Sequence, residues 1–141
     1  MTEKITEVVL AILFDKEGNF LMNSRPEGKV YAGYWEFPGG KVEIGESFEE
    51  AIQREMDEEL GVHLGACRFF HTETAVYPHA TVCLHFCVCR EWKGTLRSKE
   101  SQQFGFFNLK NLPAPILPAT EKILQNLIKD SLALWTDEVS R

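Results

Sequence analysis

Apolar residues occupy both faces of the stretch from about Thr6 to Phe14, through Val8-Val9-Leu10-Ala11-Ile12-Leu13. An uninterrupted run of this kind predicts a central strand covered on two sides. Asp15-Lys16-Glu17-Gly18 then reads as a tight turn, returning into Phe20-Leu21-Met22 as a hairpin partner. Tyr34-Trp35-Glu36-Phe37-Pro38 reads as a short strand delivering Gly39-Gly40. Beyond Gly61 the pattern is strand-rich: Cys67 to Val76, a Tyr77-Pro78-His79 turn, Thr81 to Glu91, and a strand around Phe104 to Phe107. A final amphipathic helix, roughly Thr120 to Trp135, carries Ile123, Leu124, Leu127, Ile128 and Leu132 at helical spacing, a stripe that should cover the sheet. The order β-β-β-α-β-β-β-α predicts an α/β fold with a mixed sheet between helices.

The first helix is where the pattern departs from that of an ordinary surface element. Ser47 followed by Glu50 has capping-box spacing, and Gly61 just past Leu60 is a left-handed stop, so about thirteen residues from Phe48 are helical. At about 100° per residue, Phe48, Ala51, Ile52, Met56 and Leu60 form one apolar arc. Glu55 and Glu59 fall inside that arc, one above the other, and Glu58 sits on its edge. A solvated helix would set its acids opposite the stripe, as this one does Asp57.

Partly burying carboxylates that also repel one another calls for a compensating positive charge. Arg54 supplies one at most, and Glu50 at i−4 competes for it. A hard divalent cation suits the oxygen donors better. The consecutive Gly39 and Gly40 let the backbone approach a ligand closely, and a carbonyl there is a candidate cation ligand. Arg25 and Lys29, in the loop after the second strand, are candidates to reach a substrate phosphate.

Gly40, five residues, Glu46, seven residues, then Arg54-Glu55-Met56-Asp57-Glu58-Glu59-Leu60-Gly61-Val62 resembles a complete Nudix box, the signature of hydrolases that cleave nucleoside diphosphates linked to another moiety. The resemblance implies the Nudix α/β/α sandwich over essentially the whole chain, 1–141, as one domain. Trp35-Glu36-Phe37-Pro38-Gly39-Gly40-Lys41, Arg90-Glu91-Trp92-Lys93-Gly94, Ser98-Lys99-Glu100-Ser101-Gln102 and Leu117-Pro118-Ala119-Thr120-Glu121 resemble the MutT branch, which hydrolyses 8-oxo-dGTP. What this implies is hydrolysis of a nucleoside triphosphate to the monophosphate and pyrophosphate with Mg²⁺ (or Mn²⁺). Glu55, Glu58 and Glu59 would be metal ligands or base, Gly39 a ligand through its carbonyl, Glu100 a further ligand or base, and Arg54 would orient the glutamates by salt bridges. The residue that reads the purine edge in that branch is an asparagine, and here the position is Thr120. A hydroxyl makes one directed contact where a carboxamide makes two, so weaker discrimination of the base is expected. The alternatives are a (deoxy)cytidine triphosphate pyrophosphatase, a broader hydrolase of the family, and a nucleotide-binding regulator without turnover, which loss of a box glutamate would favour; none is lost.

Composition changes the picture little. With 141 residues, 44% hydrophobic, the chain is large enough for one compact core. A net charge of −6 argues against a duplex nucleic-acid or anionic-membrane binder and leaves a small nucleotide as the partner, for a monomer or weak dimer. No leader or 18-residue apolar run is visible, which points to the cytoplasm. Cys83, Cys87 and Cys89 with His85 would share one strand face, which makes zinc conceivable. With no CxxC pair, reduced buried cysteines, Cys67 included, are the preferred reading. His63, His71, His79 and His85 have no ligand spacing and read as structural.

Overall fold

The computed structural model describes residues 5–78, 80–100 and 102–140, with the side chains of residues 77 and 135–140 outside that description. His79 and Ser101, and the side chain of Trp135, therefore lie outside the described residues. Four strands precede the first helix: β1 (Ile5–Leu13), β2 (Phe20–Ser24), β3 (Trp35–Glu36) and β4 (Gly39–Lys41). After α1 (Phe48–Leu60) come β5 (His63–Leu64), β6 (Cys67–Tyr77), β7 (Ala80–Cys89), β8 (Trp92–Lys93) and β9 (Phe104–Phe107), then α2 (Pro118–Glu121) and α3 (Leu124–Ser140). No described helix is long and apolar enough to cross a membrane.

The main sheet has the order β4-β1-β7-β6. It is mixed, because β1 runs parallel to β7 over nine paired residues while the other neighbours are antiparallel. A second sheet, β3-β2-β9, is antiparallel, and β5 pairs with β8. The two-sided apolar run of β1 has the consequence expected of it. Val9, Ala11 and Leu13 pack with Ala51, Ile52, Met56 and Leu60 of α1. Leu10 and Ile12 point the other way and pack with Leu124, Leu127 and Ile128 of α3. The strand is thus the shared wall of two cores, and helices cover both faces, as in an α/β/α sandwich.

Three local expectations change. The turn at Asp15 forms, with the Asp15 carboxylate accepting from the backbone N–H groups of Glu17 and Asn19. The hairpin does not: beyond a single bridge from Phe14 to Phe20, β2 leaves β1 and joins β3 and β9. Both edges of β1 are already taken, by β4 and β7. Gly39 and Gly40, expected to follow a strand, are themselves in β4. The last helix is broken at residues 122–123 into α2 and α3, although its apolar stripe still lands on the sheet.

The first helix has the limits its caps imply. Ser47 Oγ accepts from the Glu50 N–H and the Glu50 carboxylate accepts from the Ser47 N–H, closing the capping box. This commits Glu50 to the cap, so it does not compete for Arg54. At the other end Gly61 adopts φ 70°. Because α1 has no basic residue in its last turn, its terminal carbonyls are satisfied from segment 97–99. The Arg97 N–H donates to Leu60 O (3.0 Å), the Lys99 N–H to Glu59 O (2.9 Å) and Lys99 Nζ to Asp57 O (3.2 Å). A Cβ at Gly61 would lie 2.9 Å from Arg97 Nε. Gly61→Ala is expected to destabilise the fold by about 1–2 kcal/mol, chiefly from a left-handed conformation forced on an L-residue, with the Arg97 side chain moving aside. An unchanged midpoint in thermal unfolding would show that the cap does not matter.

Candidate active site

Segment 97–99 does more than cap a helix, because it carries Glu100 to the same cleft as the acids of α1. That cleft, of about 460 Å³, is lined by Glu55, Glu58 and Glu59 from α1, by Glu100, and by Glu36 from β3. Gly39, Gly40 and Lys41 of β4 and the apolar Val8 and Leu10 of β1 form another part of its wall. Asn23, Ser24, Arg25, Pro26 and Lys29 line it from β2 and the loop that follows. Gln102 fixes the mouth, its side-chain oxygen accepting from Ser98 Oγ (3.0 Å) and from the Glu100 N–H (3.2 Å).

The two glycines have separate tasks. A Cβ at Gly39 would fall 1.9 Å from Val9 O, so only glycine lets β4 lie against β1 there. A Cβ at Gly40 would fall 2.4 Å from the Glu55 carboxylate, so only glycine leaves that carboxylate its place. The Gly39 N–H donates to Glu59 Oε2 at 3.1 Å. Strand and helix are thus joined by a backbone-to-carboxylate bond at the floor of the cleft.

Arg54 organises the upper part. Its Nε and Nη2 bond both oxygens of Glu46, at 2.6 and 2.9 Å, a forked pairing suited to a guanidinium. Nη1 reaches Glu55 (2.9 Å) and Glu58 (3.3 Å), and Nη2 also donates to Lys41 O (2.9 Å). The Glu46 carboxyl is held down to about 2 by Arg54 and by the Glu43 N–H, and Arg54 is pushed further above its ordinary value in return.

Glu59 has no such partner. Burial first, then the charges of Glu55, Glu100 and Glu36, push its carboxyl up to about 9, against which the Gly39 N–H does little. Burial raises Glu55 as well, with Arg54 opposing. Glu36 is raised by burial and opposed by Arg25. Hard oxygen donors crowded until one of them gives up its charge fit a hard divalent cation. Among the described residues no three such side chains are already drawn round one point, so the acids share a cleft rather than a closed cage.

The residues expected from sequence divide accordingly. Glu55, Glu58, Glu59, Glu100, Gly39 and Arg25 line one cleft, and Arg54 braces it from behind. Arg25 arrives already engaged, Nη1 on Glu36 (3.0 Å) and Nε on Val30 O (2.7 Å). Thr120 does not join them; it is 4% exposed, in α2, outside the lining of the cleft. Glu36, Asn23 and Gln102 went unassigned. An acid between Trp35 and Phe37, and an amide ending the run Phe20-Leu21-Met22, were the available signals. Cys87 and Cys89 are buried, Cys67 and Cys83 half-buried, and all four are free. His85 bridges Glu7 and Thr72 between strands, and His71 pairs with Glu73.

Strand, paired glycines and an acid-bearing helix over one cleft define a Nudix-type fold and site. The NUDIX domain model matches residues 4–127, and the chain belongs to the Nudix family. It is 34% identical over 100 residues to the 8-oxo-dGTP diphosphatase of Proteus vulgaris, spanning 71% of this chain and 89% of that one. It is 33% identical over 123 residues to the CTP pyrophosphohydrolase of Escherichia coli, spanning 86% and 90%. Among solved structures it is similar to the MutT NUDIX hydrolase of Burkholderia pseudomallei, with a TM-score of 0.78 and 27% identity, covering 87% of this chain and 98% of that one.

Glu59 gives this site a pH signature. Its folded pKa lies above the 4.5 of an ordinary glutamate, so the fold bears no cost below pH 4.5 and a growing one as pH rises toward about 9. In excess chelator, Glu59→Gln should raise the melting temperature, more at pH 8 than at pH 5. A saturating divalent cation should reverse the order by stabilising the unaltered protein more than the variant. A difference independent of pH would contradict the burial assigned to Glu59.

Proposed function

We propose that this chain is a Mg²⁺- or Mn²⁺-dependent pyrophosphohydrolase that converts a nucleoside triphosphate to its monophosphate and pyrophosphate, with an 8-oxo-dGTP-type nucleotide as preferred substrate. The observation that carries the reading is the meeting of Glu55, Glu58, Glu59 and Glu100 over Gly39 and Gly40, with Arg25 and Lys29 lining the same cleft. The similarity to 8-oxo-dGTP diphosphatases supports the substrate. Nudix hydrolases generally need a divalent metal; Glu55, Glu58, Glu59, Glu100 and the Gly39 carbonyl would hold it. When bound it would neutralise phosphate charge and acidify water.

The chain's own residues do the rest. Arg54 holds Glu55 and Glu58 toward the cleft while Glu46 anchors Arg54, so the acids are oriented before substrate arrives. Arg25, exchanging part of its pairing with Glu36 for a phosphate oxygen, and Lys29 fix the phosphate chain. One carboxylate of the cluster, kept ionised once a cation offsets the mutual repulsion of the acids, would accept the proton of the attacking water, the titration being shared among the coupled groups. Water-excluding apolar contact comes from Val8 and Leu10.

A second reading, cleavage of cytidine triphosphates, is favoured by the similarity to the Escherichia coli enzyme. A threonine at position 120 offers a single hydroxyl, so no paired side-chain contact to a purine edge comes from that position. The preference for 8-oxo-dGTP over dGTP is accordingly expected to fall well below the roughly 10⁴-fold that paired hydrogen bonds provide. Initial rates over 8-oxo-dGTP, dGTP, CTP and dCTP decide both points. A preference of several thousand-fold removes the Thr120 argument, and CTP or dCTP as best substrate moves the protein to the second reading. Undiminished pyrophosphate release in excess chelator would defeat the metal-dependent reading altogether. Gly40→Ala, whose added carbon occupies the place of the Glu55 carboxylate, should cost about 10²-fold in kcat with little change in melting temperature. Normal turnover in that variant would show that the position of Glu55 is immaterial.

A further inference from the structure

Asn23 breaks the apolar run of β2 at a point where little else would lead one to expect an amide. The residue is 3% exposed and lines the cleft. Its backbone stands in register with Glu36 of β3 and Phe104 of β9. Its carboxamide makes no hydrogen bond with any described residue. No fully buried side-chain nitrogen or oxygen among the described residues lacks a partner. The small accessible surface of Asn23 therefore belongs to the amide, which opens on the cleft. An amide held in so enclosed a place without a protein partner costs stability relative to an apolar side chain of the same size. Leu21 and Met22, just before it, show that the strand otherwise buries such side chains here.

Its direction follows from the ladder. Residues directly opposed in an antiparallel pair share a face, and alternate residues along a strand do as well. Asn23 therefore points to the same side as Glu36, and to the side on which Leu21 packs against α1. That is the side of the carboxylates. Arg25, paired with Glu36, lies two residues further along.

We propose that Asn23 is a further substrate-contacting residue, its carboxamide N–H donating to a non-bridging phosphate oxygen of the nucleotide between Arg25 and the acids of α1. This rests on the hydrolase reading above. The chemistry selects the phosphate: a polyanion entering a cleft lined by five glutamates needs donors that bring no further negative charge, and a carboxamide supplies two N–H groups without altering the charge. Hydrogen bonds to ionised oxygens are the strong ones, so one such contact is worth about tenfold or more in affinity.

The test uses Asn23→Leu, which keeps the volume and removes the donor, and Asn23→Asp, which keeps the shape and replaces the donor by an anion. Calorimetric titration of pyrophosphate in the presence of Mg²⁺ should show affinity falling at least tenfold in the first and further in the second. The kcat/KM values for purine and pyrimidine triphosphates should fall by a common factor, because the contact is to the part they share. The metal-free melting temperature of Asn23→Leu should equal or exceed that of the unaltered protein. Unchanged pyrophosphate affinity overturns the proposal. A loss confined to one base means that Asn23 reads the base instead, and a clear drop in melting temperature means that the amide holds the fold. Absence of turnover in the unaltered protein would defeat the hydrolase reading, and the pyrophosphate titration would still decide the role of Asn23.

Discussion

Burial of carboxylates that the fold also keeps close enough to repel one another governs the functional half of this molecule. Glu59 is surrounded by low-dielectric packing and feels Glu55, Glu100 and Glu36, and among the described residues its relief is the Gly39 N–H at 3.1 Å. Arg54 compensates Glu55 and Glu58 but is itself shared with Glu46. One guanidinium is divided among several acids, Arg25 on the β2 side is engaged by Glu36, and Lys29 and Lys41 are the other cations that line the cleft beside its five glutamates. Replacing such a cluster by apolar residues would stabilise a fold that had nothing to bind. Its retention makes physical sense where a cation and a phosphate chain complete the electrostatics.

The scaffold around the cleft is built to prevent the relaxation that repulsion would otherwise cause. Glu55 and Glu59 cannot simply swing outward, because their helix is fixed at its N-terminus by the Ser47–Glu50 box and at its C-terminus by Gly61 and segment 97–99. The apolar arc of the same helix, Ala51, Ile52, Met56 and Leu60, is wholly buried against β1. Strand β4 is held equally firmly, since Gly39 lies against Val9 closely enough to exclude a side chain. Helix and strand are each fixed by caps, backbone pairing and apolar packing rather than by the carboxylates, and the acids occupy what space is left. Glu100 enters on the segment that caps the helix, so the interactions that end α1 also set the position of the fourth carboxylate.

The extent of α1, the two faces of β1 and the acids on the inner arc of the helix were legible in the sequence, because each depends on residues a few positions apart. Caps act across three or four residues, and helical periodicity places Glu55, Glu59 and Met56 relative to one another whatever the rest of the chain does. Two-sided burial of β1 was likewise written into an unbroken run from Val8 to Leu13. The paired glycines could be recognised as a point of close approach, although not which neighbour each would meet.

Pairings between distant segments were decided only by the tertiary structure. The expected hairpin of β1 with β2 failed because β4 and β7 occupy both edges of β1, a competition invisible to any local window. Once β2 joined β3 and β9 instead, Asn23 and Arg25 came beside Glu36, and the arginine marked as a phosphate candidate arrived ion-paired. Glu50 was lost to its cap and Glu46, eight residues before Arg54, took its place. Thr120, suggested by its position after Pro118-Ala119, is buried in a short helix and is not among the residues that line the cleft. By itself the sequence determined which side chains are acidic, where the helix that carries them starts and stops, and which way they face. Which other charges and amides would meet them depended on contacts between residues far apart in the chain, whose partners are chosen by competition for sheet edges and buried volume across the whole fold.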